Sequence, residues 1–111
     1  MRKPHAKLNW PIIVCGLTAM AIPLHAAEPT PSRQHELLYL LKQDCGSCHG
    51  LTLKGGLGPA LTPQALHDKP KAAMVATIMH GRPGTPMPPW SSELSEADAR
   101  WLVENLYRGV P

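Results

Sequence analysis

The sequence predicts an all-α domain of three to four helices. Three observations carry this. Helical patterns at 32–49, 71–80 and 96–108 are separated by stretches rich in Gly and Pro. No β-rich run lies between or after them. The first pattern also ends in Cys45-Gly46-Ser47-Cys48-His49, a run that suits a helical turn better than the strand-to-helix junction of a redox dithiol.

The chain has 111 residues, and the first 27 are expected to lie outside the fold. Arg2, Lys3, His5 and Lys7 form a basic start, Leu8 to Leu24 is mostly apolar, and Leu24-His25-Ala26-Ala27 offers a small-residue cleavage site. This is the layout of a cleaved secretory signal peptide over 1–27. As a membrane span it is short, since about 20 apolar residues are needed, and Pro11 and Pro23 interrupt it. Cys15 would leave with the leader. Residues 28–111 then form one domain, exported to the periplasm, with no stable membrane association after cleavage. All eight acidic residues lie in that part, whereas three of the eleven Lys and Arg lie in the leader. The mature part is therefore formally neutral, which removes any case for nucleic-acid binding.

The elements follow in order. Glu28 to Ser32, with Pro29 and Pro31, reads as a tether, and Ser32 as the N-cap of a first helix. Leu37, Leu38, Leu40 and Leu41 supply its apolar stripe, and Gly50 stops it. Gly55, Gly56, Gly58 and Pro59 are too close together for a regular element. The sharper expectation for them is a backbone pressed against a flat cofactor, where a Cβ would collide. Thr62-Pro63 opens a short helical turn, with Thr as cap and Pro in the first helical position. Pro70 opens the helix that runs to His80 and stops at Gly81. Four prolines between 81 and 90 make a stiff loop around Met87. Ser95 and Asp98 form a capping box for a last helix from Glu96 to about Arg108, apolar at Ala99, Leu102, Val103 and Leu106.

The Cys-x-x-Cys-His run is the attachment signature of a c-type haem. Cys45, Cys48 and His49 fall at i, i+3 and i+4, so a helix presents all three on one face. The thiols would add across the two porphyrin vinyl groups, and His49 would ligate the iron. A zinc site would want a second ligand pair, and no other Cys remains after residue 27. The domain has no Phe, and an apolar porphyrin would complete its small core. One haem c is thus the expected cofactor.

The second axial position has several candidates. Met74 and Met79 sit on a helix at packing spacing, where Met commonly fills gaps. His80 ends a helix, where a basic side chain is favoured, His67 lies beside Asp68, and His35 is remote from the motif. Met87 is favoured, because the prolines around it hold one side chain in a fixed place. A histidine ligand or an open position are the alternatives. A thioether favours ferrous iron and closes the site to external ligands, which suits electron transfer rather than catalysis.

With these motifs in place, the chain resembles a small class I cytochrome c. It is more narrowly similar to the cytochrome c55X group of denitrifying bacteria, through Asp44 to Gly50, Gly55 to Leu61 and Gly84 to Trp90. The resemblance implies Cys45 and Cys48 as thioether sites and His49 and Met87 as axial ligands. It also implies that the Pro59 carbonyl accepts a hydrogen bond from the His49 ring. The first and last helices should cross, with Leu37, Leu41, Trp101 and Leu102 in contact. The implied function is single-electron delivery to the periplasmic nitrite reductase. The alternative is a maturation factor for that enzyme's d-type haem. Lys54, Lys69, Lys71 and Arg82 flank the expected haem loops; surface charge is their default role and partner steering the sharper one.

Overall fold

The computed structural model describes residues 27–110. The expected signal peptide and its cleavage site lie almost wholly outside the described residues. The elements are α1 (Pro31–Leu40), a π-helical turn (Leu41–Cys45), α2 (Gly46–His49), α3 (Pro63–Leu66), α4 (Lys71–His80) and α5 (Glu96–Arg108). Among the described residues there is no strand.

The first helix starts earlier than the sequence suggests. Thr30, not Ser32, is its N-cap, and the Thr30 hydroxyl accepts from the Arg33 N–H at 3.3 Å. Pro31 decides this: its fixed φ and missing N–H suit the first helical position, where the donor would be orphaned anyway. The helix then runs to His49 as expected, but through a π turn. The Gly46 N–H reaches the Leu41 carbonyl, five residues back, and α2 carries the motif.

Helix α5 is the hub. It packs against α1, α3 and α4. Leu37, Leu41, Leu53, Leu66, Leu94, Leu102 and Leu106 form one buried cluster. Ala99 and Val103 are also buried. Trp101 packs on this cluster from its edge. The expected crossing of the first and last helices is present.

Polar contacts reinforce that crossing. Ser95 and Asp98 form the predicted capping box: the Asp98 N–H donates to Ser95 Oγ at 3.1 Å, and the Ser95 N–H donates to Asp98 Oδ2 at 3.0 Å. Arg33, on α1, then grips the same carboxylate. Its Nη2 donates to Asp98 Oδ2 at 3.1 Å and to the Glu93 carbonyl at 3.0 Å, and its Nη1 to Glu36 Oε2 at 3.0 Å. Burial alone would raise the Asp98 pKa. The Arg33 hydrogen bond and the donors of Ser95 outweigh it and hold the carboxyl below its usual range. A second tie joins α4 to α5. Lys71 Nζ lies 2.7 Å from Glu104 Oε2 and 5.3 Å from the Tyr107 ring centre.

These ties differ in worth. Asp98→Asn should cost about 1–2 kcal/mol, the usual scale for a lost helix cap. Lys71→Ala should cost under about 1 kcal/mol, because that pair is solvent-exposed. Because the folded Asp98 pKa lies below its unfolded value, its contribution is complete above about pH 4 and fades as pH falls through the folded pKa. Urea unfolding of wild type and Asp98→Asn across that range should show the gap closing in acid.

Candidate haem-binding site

The motif sits where the helix made of α1, the π turn and α2 runs out. Cys45 is half-buried, and Cys48 is exposed. Burial, with help from the Asp44 charge, pushes the Cys45 thiol up to about 11. A reactive thiol needs a depressed pKa, so Cys45 has the wrong electrostatics for a thiolate nucleophile.

A glycine-rich loop folds back over the end of this helix and supplies its missing caps. The Gly55 N–H donates to the His49 carbonyl at 2.8 Å, and the Gly58 N–H to the Cys48 carbonyl at 2.8 Å. The same loop orients the imidazole. His49 Nδ1–H donates to the Pro59 carbonyl oxygen at 2.7 Å. A carbonyl only accepts, so in the neutral ring Nδ1 carries the proton and Nε2 keeps a free lone pair for a metal.

The glycines press on the motif itself, where the sequence suggested a cofactor face. A Cβ on Gly58 would come within 2.8 Å of His49 Cε1 and Nδ1, and one on Gly56 within 2.8 Å of the Cys48 carbonyl oxygen. The ring therefore lies against bare backbone on one side. Sequence could show that a Cβ was unwelcome there, but not which neighbour forbids it.

Leu53 was missed at the sequence level. It holds a left-handed backbone, φ 56°, yet is a leucine. That conformation costs about 1–2 kcal/mol. Its side chain is only 7% exposed and belongs to the core cluster. Burying a leucine is worth roughly 1.5–3 kcal/mol, which outweighs the strain.

Met87 is half-buried in the second loop. The Arg82 N–H donates to the Met87 carbonyl at 3.1 Å, and the Met87 N–H donates to Thr85 Oγ1 at 3.3 Å. Thr85 in turn donates through Oγ1 to the Arg82 carbonyl at 2.7 Å. Gly81, at φ 68°, lets the chain double back so closely that a Cβ would sit 2.7 Å from the Met87 carbonyl oxygen. The Trp90 N–H pins the far end to the Ile78 carbonyl at 3.0 Å. The prolines stiffen this loop, but Thr85 and Gly81 shape it.

Of the other candidates, His35, His67 and His80 are exposed, and His67 donates Nδ1–H to the Gln64 carbonyl at 2.7 Å. Met74 and Met79 are half-buried on α4. Lys71 is engaged by Glu104 and Lys69 lies 3.6 Å from Asp68, whereas Lys54 and Arg82 make no ion pair among the described residues.

These residues fit a haem. Two thiols and an imidazole with a free Nε2 share one helix end, and a thioether is held in a separate braced loop. Helix α4 is apolar from Ala72 to Met79, apart from Thr77, yet buries no residue completely. Such a helix normally needs cover on several sides, and a flat apolar ring would supply it.

A family model described as cytochrome c oxidase, cbb3-type, subunit III matches residues 33–106. A cytochrome c55X from Pseudomonas aeruginosa is 63% identical over 81 residues, covering 73% of this chain and 68% of that one. The chain belongs to the cytochrome c55X family. A solved structure of the c-type cytochrome NirC superposes on this cytochrome with TM-score 0.73 at 61% identity, over 74% of this chain and 96% of that one. A dihydro-heme d1 dehydrogenase, also from Pseudomonas aeruginosa, is 37% identical over 84% of this chain but only 18% of its own length. The solved structure of such an enzyme, NirN in complex with DHE, gives TM-score 0.61 at 40% identity, over 66% of this chain and 16% of that one. The fold is thus that of a small c-type cytochrome, and haem c is the cofactor its family implies.

Gly58→Ala tests the contact with the ring. The new methyl must displace the imidazole or the loop, at a cost of about 1–3 kcal/mol for overpacking. Denaturant melts of the haem-loaded protein should show that loss, whereas Gly46→Ala should cost less, since it has a helical backbone and a Cβ there meets nothing nearer than 3.5 Å.

Proposed function

We propose that this cytochrome is an exported, periplasmic carrier of single electrons. It holds one haem c through thioethers at Cys45 and Cys48 and through axial ligands His49 and Met87, and it delivers electrons to the nitrite reductase of denitrification. The observation that carries this is the His49 imidazole, whose Nδ1–H is spent on the Pro59 carbonyl at 2.7 Å, so that only Nε2 is left to bind. When bound, the haem supplies a one-electron ferric/ferrous couple. The chain does the rest. The Gly55 to Pro59 loop keeps the imidazole from turning. The clasp of Gly81, Arg82 and Thr85 fixes the Met87 main chain, so its soft sulfur would favour ferrous iron and exclude outside ligands. A site closed by a thioether passes electrons rather than binding outside ligands, so the role is electron transfer rather than catalysis. The leader over 1–27 would carry the chain across the inner membrane and then be cleaved. No helix among the described residues is long and apolar enough to cross a membrane.

A second reading rests on the similarity to dihydro-heme d1 dehydrogenase. There a cytochrome domain like this one forms part of a larger protein acting on a tetrapyrrole. A free-standing copy would serve the making or insertion of d-type haem.

Met87→Ala in the haem-loaded protein should abolish the weak sulfur-to-iron band of the ferric form. It should also lower the reduction potential and allow rapid carbon monoxide binding. An unchanged spectrum would remove Met87 from the iron. A deletion strain separates the two functions. A carrier can be replaced by another donor, leaving nitrite reductase with its d-type haem, whereas loss of a maturation factor yields reductase lacking it.

A further inference from the structure

Leu53 combines two features that seldom meet: a left-handed backbone at a residue other than glycine, and a side chain buried in the main core. Its main chain ties the two ends of the loop that follows the motif. The Leu53 N–H donates to the Gly50 carbonyl at 2.7 Å, and the Leu53 carbonyl accepts from the Leu61 N–H at 2.8 Å. Pro59, whose carbonyl accepts the His49 Nδ1–H hydrogen bond, lies two residues before Leu61. We propose that Leu53 is a positioning residue for the His49 imidazole: its buried side chain anchors the strained turn, and the turn holds the Pro59 carbonyl against Nδ1.

Three features separate this from ordinary core packing. The other loop ties, from Gly55 and Gly58 to the His49 and Cys48 carbonyls, fasten the loop only to the helix end it covers. Leu53 fastens it to the cluster that holds α1, α3 and α5 together. Glycines 55, 56 and 58 supply no Cβ, so the middle of the loop has little side chain to bury except Leu57, which is 94% exposed. The loop's grip on the core near Pro59 therefore runs through Leu53 and its partner Leu61, which also packs on the cluster. A left-handed leucine is tolerated where the surrounding structure over-determines it.

This role rests on His49 being the iron ligand proposed here. A strong Nδ1–H···O bond raises the basicity of a ligating imidazole and so favours ferric iron. Loosening it should shift the reduction potential upward.

The test uses haem-loaded protein and reads two quantities besides stability. One is the reduction potential, and the other is solvent exchange of the His49 Nδ1 proton in the reduced form. Leu53→Ala removes the anchor and should raise the potential and speed the exchange. Leu53→Met keeps an apolar side chain of similar volume with no β-branch and should restore both. Leu53→Gly accepts the left-handed backbone without steric cost but buries nothing, so it should behave like Leu53→Ala. Should Leu53→Ala fail to retain haem, Leu53→Gly, freed of the left-handed strain, gives the same comparison. A loss of stability with both readouts unchanged would make Leu53 a plain core residue, and recovery in Leu53→Gly would show that the backbone alone positions the loop. Either result overturns the proposal. If the wild type itself carries no covalent haem, the haem site fails first; if it does and the variants match it, only the role of Leu53 falls.

Discussion

The hydrogen bond from His49 Nδ1 to the Pro59 carbonyl, 2.7 Å long, is the constraint around which this protein is arranged. A histidine at the end of a short helix is otherwise free to rotate and to choose its tautomer. One carbonyl acceptor removes both freedoms, because only the Nδ1–H tautomer can satisfy it. The loop that brings the carbonyl also caps the helix, through the Gly55 and Gly58 amides. Capping and imidazole orientation are thus one structure, and neither can be altered without the other.

The rest of the fold holds that loop and the Met87 loop at the right places. Helix α5 touches α1, α3 and α4, and the buried leucines of α1 and α5 join Leu53 and Leu66 in one cluster. Arg33 spans from α1 to the cap of α5, so Asp98 serves its own helix and a neighbour at once. The Met87 loop leans on α4 instead, through the Trp90 N–H at the Ile78 carbonyl and the turn at Gly81. Each axial candidate therefore has its own support, one on the helix carrying the motif and one on α4.

Much of this was legible in the chain. The capping box at Ser95 and Asp98, the last helix and the stop at Gly81 were read from local signals, and local signals suffice where a helix end is satisfied by residues three positions away. The cap of α1 is Thr30 rather than Ser32, because Pro31 fits the first helical position and moves the cap two residues upstream. The glycines at 56 and 58 were read as facing a cofactor. Their bareness was evident, but what they touch is the Cys48 carbonyl and the His49 ring, eight to nine positions back along the chain and brought near only by the fold of the loop. Lys71, set beside the haem loops by sequence, is held by Glu104, a partner 33 positions away that no local pattern reveals.

The sequence alone determined the fold class and the candidate haem-holding residues, since two thiols, an imidazole, helical periodicity and proline stops are short-range facts of spacing. The tertiary structure decided the tautomer of His49, the clasp on Met87, the strained anchor at Leu53 and the hold of Arg33 on Asp98. Each of these joins groups through space. A hydrogen bond across a folded loop or a buried side chain depends on distances that exist only once the helices have packed.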